Sequence, residues 1–417
     1  MITWKTQRRH IGNLIFWILF CFLSWHFFDS HFQNQQKQET QNDANLDLKC
    51  PSRPSPESDP QSPSRIPPQF IPYPRRQNMS HCVPTFGKIN IFIAYKAGAL
   101  KDHYHVALSS WRCYLKSTNY TLVLVDVDND PRVTSKCSQY KEFMFLRHCA
   151  LLQYMSEADW TIAMDADTGV INPEHCIEEY IDPRVPLIFH QRFHNYEIAA
   201  DTFIVKNSTF ARNFIKEWAD WDFRRPKLQF DNRDNGALHM QLLETIFNET
   251  APNAVEMCRE IWVTHTIDIW SYFAMVQCAK MMMGANRFWP GKLLIYPKGE
   301  GMTRDDWITN DHGTKFSDRD FLFHAWKHQS VTPTSAYSFE KIPDVDKCGV
   351  GTLEGWYWRN GTRVSEKELL DLLLKSETYH MKWPVEPRQH QKARVIPWFE
   401  VSELKRCHPN CMDRTKL

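Results

Sequence analysis

Two aspartates separated by one residue follow an apolar segment in the middle of the sequence, in the run WTIAMDADTGVINP. The apolar residues predict a buried strand at Trp160–Met164, and alternation along that strand would direct Asp165 and Asp167 to the same side. Two carboxylates in this arrangement are suited to a hard divalent cation, which prefers oxygen ligands. D-x-D patterns occur elsewhere in the sequence, but only this pair and Asp126/Asp128 end a predicted buried strand.

Alternating strand-like and helix-like segments surround this pair. Apolar runs at Lys88–Tyr95 and Tyr120–Val127 predict two earlier strands, and apolar residues at helical spacing predict helices at 99–116 and 139–155. A β-α-β-α-β order implies a parallel sheet with helices on both faces, in which ligands bind beyond the carboxyl ends of the strands. No G-x-G-x-x-G or Walker loop is present, which argues against a nicotinamide dehydrogenase or a P-loop NTPase. Later segments predict strands at 186–190, 202–205, 293–296 and 321–325 and helices at 209–221 and 235–247.

The apolar segment 266–283 allows two interpretations. Its length is that of a short transmembrane helix, but it contains Asp268, Gln277 and Lys280. Charged and polar side chains are costly in a bilayer, so a helix buried in the protein is favoured.

The N-terminal region predicts a membrane anchor followed by a stalk. Residues 11–28 form an apolar run of sufficient length to span a bilayer, preceded by basic residues in 1–10 and by no acid. The positive-inside rule then predicts a cytoplasmic tail at 1–10 and a lumenal location for everything after residue 28. A cleaved signal peptide is the alternative, but no small-residue cleavage site follows. Residues 29–82 are polar and then rich in proline, which predicts a disordered stalk.

Composition supports a globular protein in an oxidising compartment. The 50 Lys and Arg residues balance the 49 Asp and Glu residues, so nucleic acid is not an expected partner. Twelve cysteines are many for a cytosolic enzyme and predict disulfides. The cysteines after residue 28 are odd in number, and Cys50 in the stalk is the one expected to stay unpaired within the chain or to link two copies. Five N-x-Ser/Thr acceptors fit the same topology; they are Asn78, Asn119, Asn207, Asn248 and Asn360.

The segment MDADTGVINP resembles the D-x-D segment of glycosyltransferases with the GT-A fold, especially the retaining galactosyl-, mannosyl- and xylosyltransferases. Residues 200–207 (ADTFIVKN), 234–238 (DNGAL, with Asn in place of the usual Gln) and 320–327 (DFLFHAWK) resemble further motifs of these enzymes in the same order. A closer resemblance links the chain to an uncharacterised, largely nematode family of type II membrane proteins placed beside them. The resemblance implies an α/β, Rossmann-like GT-A (nucleotide-diphospho-sugar transferase) catalytic domain at 83–335, followed by a C-terminal extension at 336–417.

The resemblance also implies roles for individual residues. It makes His324 the third metal ligand beside Asp165 and Asp167, a set suited to Mn²⁺ or Mg²⁺. Lys327 would bind the phosphates of a nucleotide-sugar donor. A metal ligand histidine competes with protons, and the ordinary histidine pKa is about 6.5.

Other candidates have alternative interpretations. Asp234 and Asn235 would lie on the sugar side as catalytic residues, or alternatively at a helix N-cap. Asp126 is assigned to the nucleotide part of the donor. Arg147 and His148 could contact the nucleotide, although an exposed helix face is favoured. An acceptor site or a packed loop would each explain the cluster Arg192, Phe193, His194 and Tyr196.

We therefore expect a metal-dependent, retaining glycosyltransferase of the Golgi membrane, anchored by residues 11–28 with its catalytic domain in the lumen. Its expected partners are a nucleotide-sugar donor and a glycan or glycoprotein acceptor. The alternative is a catalytically silent lumenal protein that binds glycans or acts as a scaffold with the same fold. A metal-dependent hydrolase is disfavoured, because no further His/Asp cluster in the sequence indicates a two-metal site.

Overall fold

The computed structural model describes residues 80–193, 197–227, 230–266, 268–306, 314–327, 331 and 337–382 of the chain. The chain divides into two units, 1–65 and 66–417, and all the described residues belong to the second. The predicted anchor at 11–28, most of the predicted stalk, Cys50 and the last 35 or so positions therefore lie outside the described residues. Among the helices that are described, none combines the length and the apolar character needed to cross a bilayer.

A seven-stranded mixed sheet forms the centre of the described unit. Its strands are β1 (Ile89–Tyr95), β2 (Thr121–Asp126), β3 (Trp160–Met164), β5 (Leu187–His190), β6 (Thr202–Lys206), β7 (Phe288–Trp289) and β8 (Leu293–Tyr296). They lie in the order β2-β1-β3-β6-β5-β8-β7. β1 pairs in parallel with β2 and β3, which confirms the arrangement predicted for the β-α-β-α-β segment. β6 is antiparallel to both of its neighbours and β7 to β8, so the complete sheet is mixed.

A second, three-stranded sheet connects the D-x-D segment to a distant part of the chain. Its strands are β4 (Gly169–Val170), β9 (Thr303–Asp305) and β10 (Leu322–His324). β10 lies in the middle, antiparallel to β4 and parallel to β9. Because β4 directly follows the D-x-D segment, this pairing places the end of β10 beside the two aspartates.

The helices agree in part with the sequence pattern. They are α1 (Ala99–His103), α2 (His105–Leu115), α3 (Pro131–Lys136), α4 (Phe143–Tyr154), α5 (Thr209–Arg224), α6 (Arg233–Phe247), α7 (Pro252–His265), α8 (Ile269–Met283) and α9 (Glu366–Lys382). The single helix predicted at 99–116 is two helices, interrupted at Tyr104, and α7 was not predicted. The apolar segment 266–283 forms α8, which is buried among other helices, as predicted. Asp268 accepts a hydrogen bond from the Ser271 amide (2.8 Å) and so caps this helix.

Two apolar cores lie on the two faces of the large sheet. Alternation along β1 divides its side chains, so that Ile91 and Ile93 pack in one core and Phe92 and Ala94 in the other. Burial on both faces explains why the sequence of β1 is a nearly continuous run of apolar residues. The second predicted strand differs, because β2 is the edge of the sheet and is only half-buried.

Disulfides join distant parts of the unit. All eight cysteines among the described residues are paired, as Cys82–Cys176, Cys113–Cys348, Cys137–Cys149 and Cys258–Cys278. This confirms that the chain uses its cysteines for disulfides. Tyr337, Phe339 and Trp356 are buried in the same core as Ile91, so residues beyond position 335 pack with the sheet.

Gly169 has no room for a side chain. A Cβ there would lie 2.4 Å from the buried ring of Trp326 and 2.8 Å from Ser110 Oγ. We expect Gly169→Ala to lower the free energy of unfolding by about 1–3 kcal/mol, because the close-packed ring would have to move. Urea unfolding measures this. Gly349→Ala is the control, since its new methyl would be 3.7 Å from Thr352 in ordinary contact; equal losses in the two variants would contradict the steric explanation.

Candidate active site

Asp165, Asp167 and His324 form the centre of the candidate site. His324 Nε2 lies 3.6 Å from Asp165 Oδ2 and 3.5 Å from Asp167 Oδ1. One ligand atom from each residue falls within 4.8 Å of the others, as a shared metal ion requires. The two aspartates lie in the turn between β3 and β4, where the Thr168 amide bonds to the Asp165 carbonyl (3.0 Å). The prediction that strand alternation aligns them is therefore wrong, since the turn brings them together.

The residues after His324 pack onto the same turn. The Trp326 amide donates to the Asp167 carbonyl (2.9 Å), and Ala325 adopts a positive φ of 82° to allow it. That conformation is unfavourable for a residue with a Cβ, and such strain is often retained at functional sites. Lys327 then extends outward, with its ammonium 3.5 Å from Asp167 Oδ2 and most of its side chain exposed.

The chemistry of this set fits a divalent cation. Asp167 is 3% exposed, yet its buried Oδ2 accepts no hydrogen bond from any described residue. The largely exposed Lys327 ammonium, 3.5 Å away, offsets its charge only in part, and a buried carboxylate oxygen without a hydrogen bond is costly unless a cation or hydrogen-bond donor satisfies it. Two carboxylates and one imidazole are a ligand set that suits Mn²⁺ and tolerates Mg²⁺. Asp165, Asp167 and His324 can therefore hold the ion.

A buried group of charged residues lies on the other side of the His324 ring. His324 Nδ1 is 2.8 Å from Asp305 Oδ1 and 3.5 Å from Asp201 Oδ2. Arg192 donates to Asp201 (2.8 Å) and lies 3.8 Å from Asp305. The backbone fixes this group to the D-x-D turn, since the Asp165 amide donates to the Asp201 carbonyl (2.8 Å).

The surrounding carboxylates control the protonation of His324. Burial by itself would lower its pKa, but the charges of Asp167 and Asp201 and the hydrogen bond to Asp305 raise the pKa to about 9. The expectation of an ordinary histidine pKa near 6.5 is therefore wrong for this residue. The imidazole is protonated at neutral pH, and a cation that uses Nε2 as a ligand must displace that proton.

Arg147 connects the candidate metal ligands to Asp234. Its guanidinium forms an ion pair with Asp165, donates to Asp234 Oδ2 through Nη2 (2.6 Å) and Nε (3.1 Å), and donates to the Ala200 carbonyl (3.0 Å). Arg147 is mostly buried, so the favoured interpretation of an exposed helix face is wrong. Burial tends to raise the pKa of Asp234, but the adjacent Arg147 charge and the bond from His148 hold it below its ordinary value.

His148 supports Asp234 from the protein interior. Its ring stacks on Trp218 with centroids 3.8 Å apart, and its Nε2 lies 3.1 Å from Asp234 Oδ2. Burial is the main reason that the pKa of His148 is lowered to about 4. His148 is therefore a neutral, fully buried residue, and the exposed-face interpretation is wrong for it as well.

Asp234 and Asn235 both lie in the first turn of α6. The helix begins at Arg233 and its N-cap is Asn232, so neither residue is the cap. Asn235 accepts a hydrogen bond from the Ala200 amide through Oδ1 (3.2 Å). Arg147 thus links Asp234 to Asp165, one of the candidate metal ligands. Asn235 instead bonds to the segment before β6.

Asp126 lies apart from this group. It ends β2, and because β1 separates β2 from β3, it stands two strand spacings, roughly 10 Å, from the D-x-D turn. Its carboxylate accepts bonds from the Asn129 amide side chain (2.9 Å) and the Asp128 backbone amide (3.1 Å). Asp128 in turn accepts from the Ala97 amide (3.1 Å), so these residues order the loops at the ends of β1 and β2.

The predicted polar–aromatic cluster at 192–196 is divided by the structure. Arg192 is part of the buried charged group, and Phe193 packs with Leu369 and Leu373 of α9. His194 and Tyr196 lie outside the described residues. The structure therefore does not place Arg192 or Phe193 on an acceptor-binding surface.

Sequence reasoning missed Asp201 and Asp305 as site residues. Asp201 lies inside the ADTFIVKN motif, but its position just before an apolar strand gave no reason to separate it from other loop aspartates. Asp305 ends the three-residue strand β9, which is too short to be recognised from its pattern.

Comparisons with known proteins give distant matches. Among solved structures, a glycosyltransferase involved in the glycosylation of the major capsid of PBCV-1 is 12% identical with a TM-score of 0.26, and the match covers 57% of this chain and 93% of that one. The glycosyltransferase GlyE of Streptococcus pneumoniae TIGR4 is 12% identical with a TM-score of 0.27, over 37% of this chain and 42% of that one. This chain thus spans less than half the length of GlyE. No curated protein sequence matches this chain.

A family match covers the candidate site. Residues 111–340 match the family described as "Protein of unknown function, DUF273". The matched range contains Arg147, both aspartates of the D-x-D turn, Asp234 and His324, and it is more than half of the 417 residues. The chain therefore belongs to the DUF273 family.

Proposed function

We propose that this protein is a metal-dependent glycosyltransferase that moves a sugar from a nucleotide-sugar donor to a glycan or glycoprotein acceptor. The observation that carries the proposal is the convergence of Asp165, Asp167 and His324 at the carboxyl end of β3, beside the Arg147–Asp234 pair. The carboxyl ends of parallel strands are where α/β proteins bind ligands. A cation ligand set next to a buried ion pair suits the transfer of a group from a charged leaving group.

The cation held by this set, Mn²⁺ or Mg²⁺, would neutralise the diphosphate leaving group. Lys327 is suited to bind the same phosphates, because its ammonium is exposed and close to Asp167. Asp126, at the end of β2, is proposed to bind the nucleoside part of the donor.

Asp234 and Arg147 are proposed to act on the sugar side of the site. Asp234 is ionised, since Arg147 keeps its pKa low, and its carboxylate can stabilise positive charge at the sugar or accept a bond from a hydroxyl. The Arg147 guanidinium holds that carboxylate in position. Asn235 fixes the segment before β6 and is proposed to contribute to the same sugar subsite. Retention of configuration is proposed from the sequence resemblance.

A Golgi location with a type II topology is proposed on the basis of the apolar run at 11–28 and the basic residues before it. The four disulfides support an oxidising compartment. The acceptor asparagines of the four described glycosylation sequons are all exposed, as a glycosylated protein requires. Cys50 is proposed to link two copies.

The proposal is tested by nucleotide release from a panel of nucleotide sugars, with the purified full-length protein and with or without Mn²⁺. We expect Mn²⁺-dependent release of the nucleoside diphosphate from one class of donor, stimulated by an acceptor. A protein that binds glycans but releases no nucleotide from any donor would instead be the catalytically silent alternative.

The affinity for Mn²⁺ is expected to depend steeply on pH. The raised pKa of His324 means that a proton occupies the imidazole below pH 9, so each ion bound through Nε2 must displace it. The affinity should therefore fall about tenfold for each pH unit below about 9. Titration calorimetry between pH 6.5 and 9 measures it.

The His324→Asn variant is the control for this pH dependence. An amide oxygen can still contact the ion, so this variant should bind Mn²⁺ weakly and with little change over the same pH range. Parallel pH profiles in the variant and the parent would contradict the assignment of His324 as a ligand.

A further inference from the structure

Asp305 and His324 are paired by the backbone. β9 and β10 run in parallel, and Asp305 is the register partner of His324. Register partners in neighbouring strands point to the same face of a sheet, about 4.8 Å apart. Their side chains meet there, with His324 Nδ1 2.8 Å from Asp305 Oδ1.

The chemistry of that contact fixes which nitrogen of His324 carries a proton. A carboxylate can only accept a hydrogen bond, so Nδ1 must be the donor. When Nδ1 keeps its hydrogen, the lone pair available for a metal is on Nε2. Nε2 is the nitrogen that lies 3.5 Å from Asp167 and 3.6 Å from Asp165.

Asp305 is held rigidly enough to orient the ring. It is 4% exposed, and the guanidinium of Arg192 lies 3.8 Å away while it binds Asp201 at 2.8 Å. The buried Arg192 charge offsets the two buried carboxylates, so neither needs to turn towards solvent. The position of Asp305 is thus set by the strand and by its ionic neighbours.

We propose that Asp305 is a positioning residue that holds the Nδ1–H of His324 so that Nε2 faces the cation. The inference rests on the metal site of the proposed function. It adds the residue that orients His324, which supplies the only imidazole among the described ligands of that site. Carboxylate partners of this kind commonly raise metal affinity by fixing the tautomer and the ring orientation of a histidine ligand.

A separate metal ion held by Asp201, Asp305 and His324 is the competing interpretation of the same cluster, because the three ligand atoms also lie within 4.8 Å of one another. Two observations oppose it. The buried Arg192 guanidinium lies beside both carboxylates of this set, 2.8 Å from Asp201 and 3.8 Å from Asp305, whereas Arg147 pairs with only one carboxylate of the D-x-D set, Asp165. One imidazole would also have to lose both ring protons to bind an ion on each side.

The test is Mn²⁺ binding to the full-length protein without any donor, measured by titration calorimetry at pH 8. Asp305→Ala should weaken Mn²⁺ binding about 10–100-fold, the usual effect of removing such a partner. Asp305→Asn should be affected less, because its amide oxygen can still accept the Nδ1–H bond. The absorption spectrum of bound Co²⁺ should change in Asp305→Ala and be largely restored in Asp305→Asn.

Asp306→Asn is the matched control. Asp306 is the next residue in the chain, is buried and interacts electrostatically with His324, but Asp305 is the residue that bonds to Nδ1. Asp306→Asn should therefore bind Mn²⁺ nearly as the parent does. If Asp305→Ala does not fold, Asp305→Leu, which removes the acceptor at nearly the same size, takes its place, and a loss in Asp305→Leu that Asp306→Asn does not show supports the proposal.

Three results would overturn the inference. They are unchanged Mn²⁺ affinity in Asp305→Ala, equal losses in Asp305→Ala and Asp306→Asn, and a parent protein that does not bind Mn²⁺. The last result would also remove the proposed function. A parent that binds Mn²⁺ through His324 and Asp305 but releases no nucleotide would leave this inference standing and reject the transferase.

Discussion

Asp167→Ala is expected to lower Mn²⁺-dependent sugar transfer about a thousandfold. The variant removes one of the two carboxylates in the candidate cation site, including the buried Oδ2 that accepts no hydrogen bond from a described residue. Charge stabilisation by a catalytic metal is worth several kcal/mol, and each 1.36 kcal/mol corresponds to tenfold in rate. Nucleotide release under saturating donor, together with Mn²⁺ titration calorimetry, measures the loss of both activity and metal.

Asp126→Ala is the matched control for this loss. Asp126 also follows a parallel strand of the same sheet, but its carboxylate lies in the loops at the ends of β1 and β2. Asp126→Ala should leave Mn²⁺ affinity and the rate at saturating donor nearly unchanged and raise the KM for the donor about tenfold or less, through weaker donor binding. The opposite order of effects would mean that the cation binds at the end of β2 instead.

Arg147→Ala is expected to lower the free energy of unfolding by about 3–5 kcal/mol. Arg147 forms ion pairs with Asp165 and Asp234, and its removal leaves the Asp234 carboxylate buried without its charge partner. Breaking a buried ion pair from one side typically costs this amount, because the remaining charge has lost its solvent and its partner. Urea unfolding monitored by tryptophan fluorescence measures it.

Two variants separate the charge effect from general damage. Arg132→Ala breaks an ion pair with Glu157 that is largely exposed, so it should leave the free energy of unfolding nearly unchanged. Adding Asp234→Asn to Arg147→Ala removes the unpaired charge and should restore part of the lost stability. If the double variant is no more stable than Arg147→Ala, the cost arises from lost packing of the arginine.

Sequence patterns predicted the large sheet better than the site. The strands β1, β3 and β8 were predicted almost to the residue, because burial on both faces makes each a short apolar run between polar segments. The position of Asp165 and Asp167 followed from the end of β3. Resemblance to known enzymes, and no local pattern, pointed to His324, since it lies 159 positions after Asp165.

The residues that the sequence missed or placed wrongly share a physical reason. Arg147 lies on a helix that is apolar on nearly all sides, so helical periodicity could not show that its charged side chain turns inward. Its partners, Asp165 and Asp234, belong to segments that only the folded chain brings together. Asp305 depends on the register between two very short strands, and register is set by tertiary contacts that a single sequence does not reveal.

The Cys113–Cys348 disulfide encloses the whole candidate site in a covalent ring. Arg147, the D-x-D aspartates, Asp234, Asp305 and His324 all lie between the two cysteines, whose sequence separation is 235. In the chain-entropy description, closing a ring of this length limits the unfolded state enough to add about 5 kcal/mol of stability. A protease that cuts one peptide bond inside the ring leaves the pieces joined, whereas truncation of the chain at residue 335 opens the ring and leaves Cys113 without its partner.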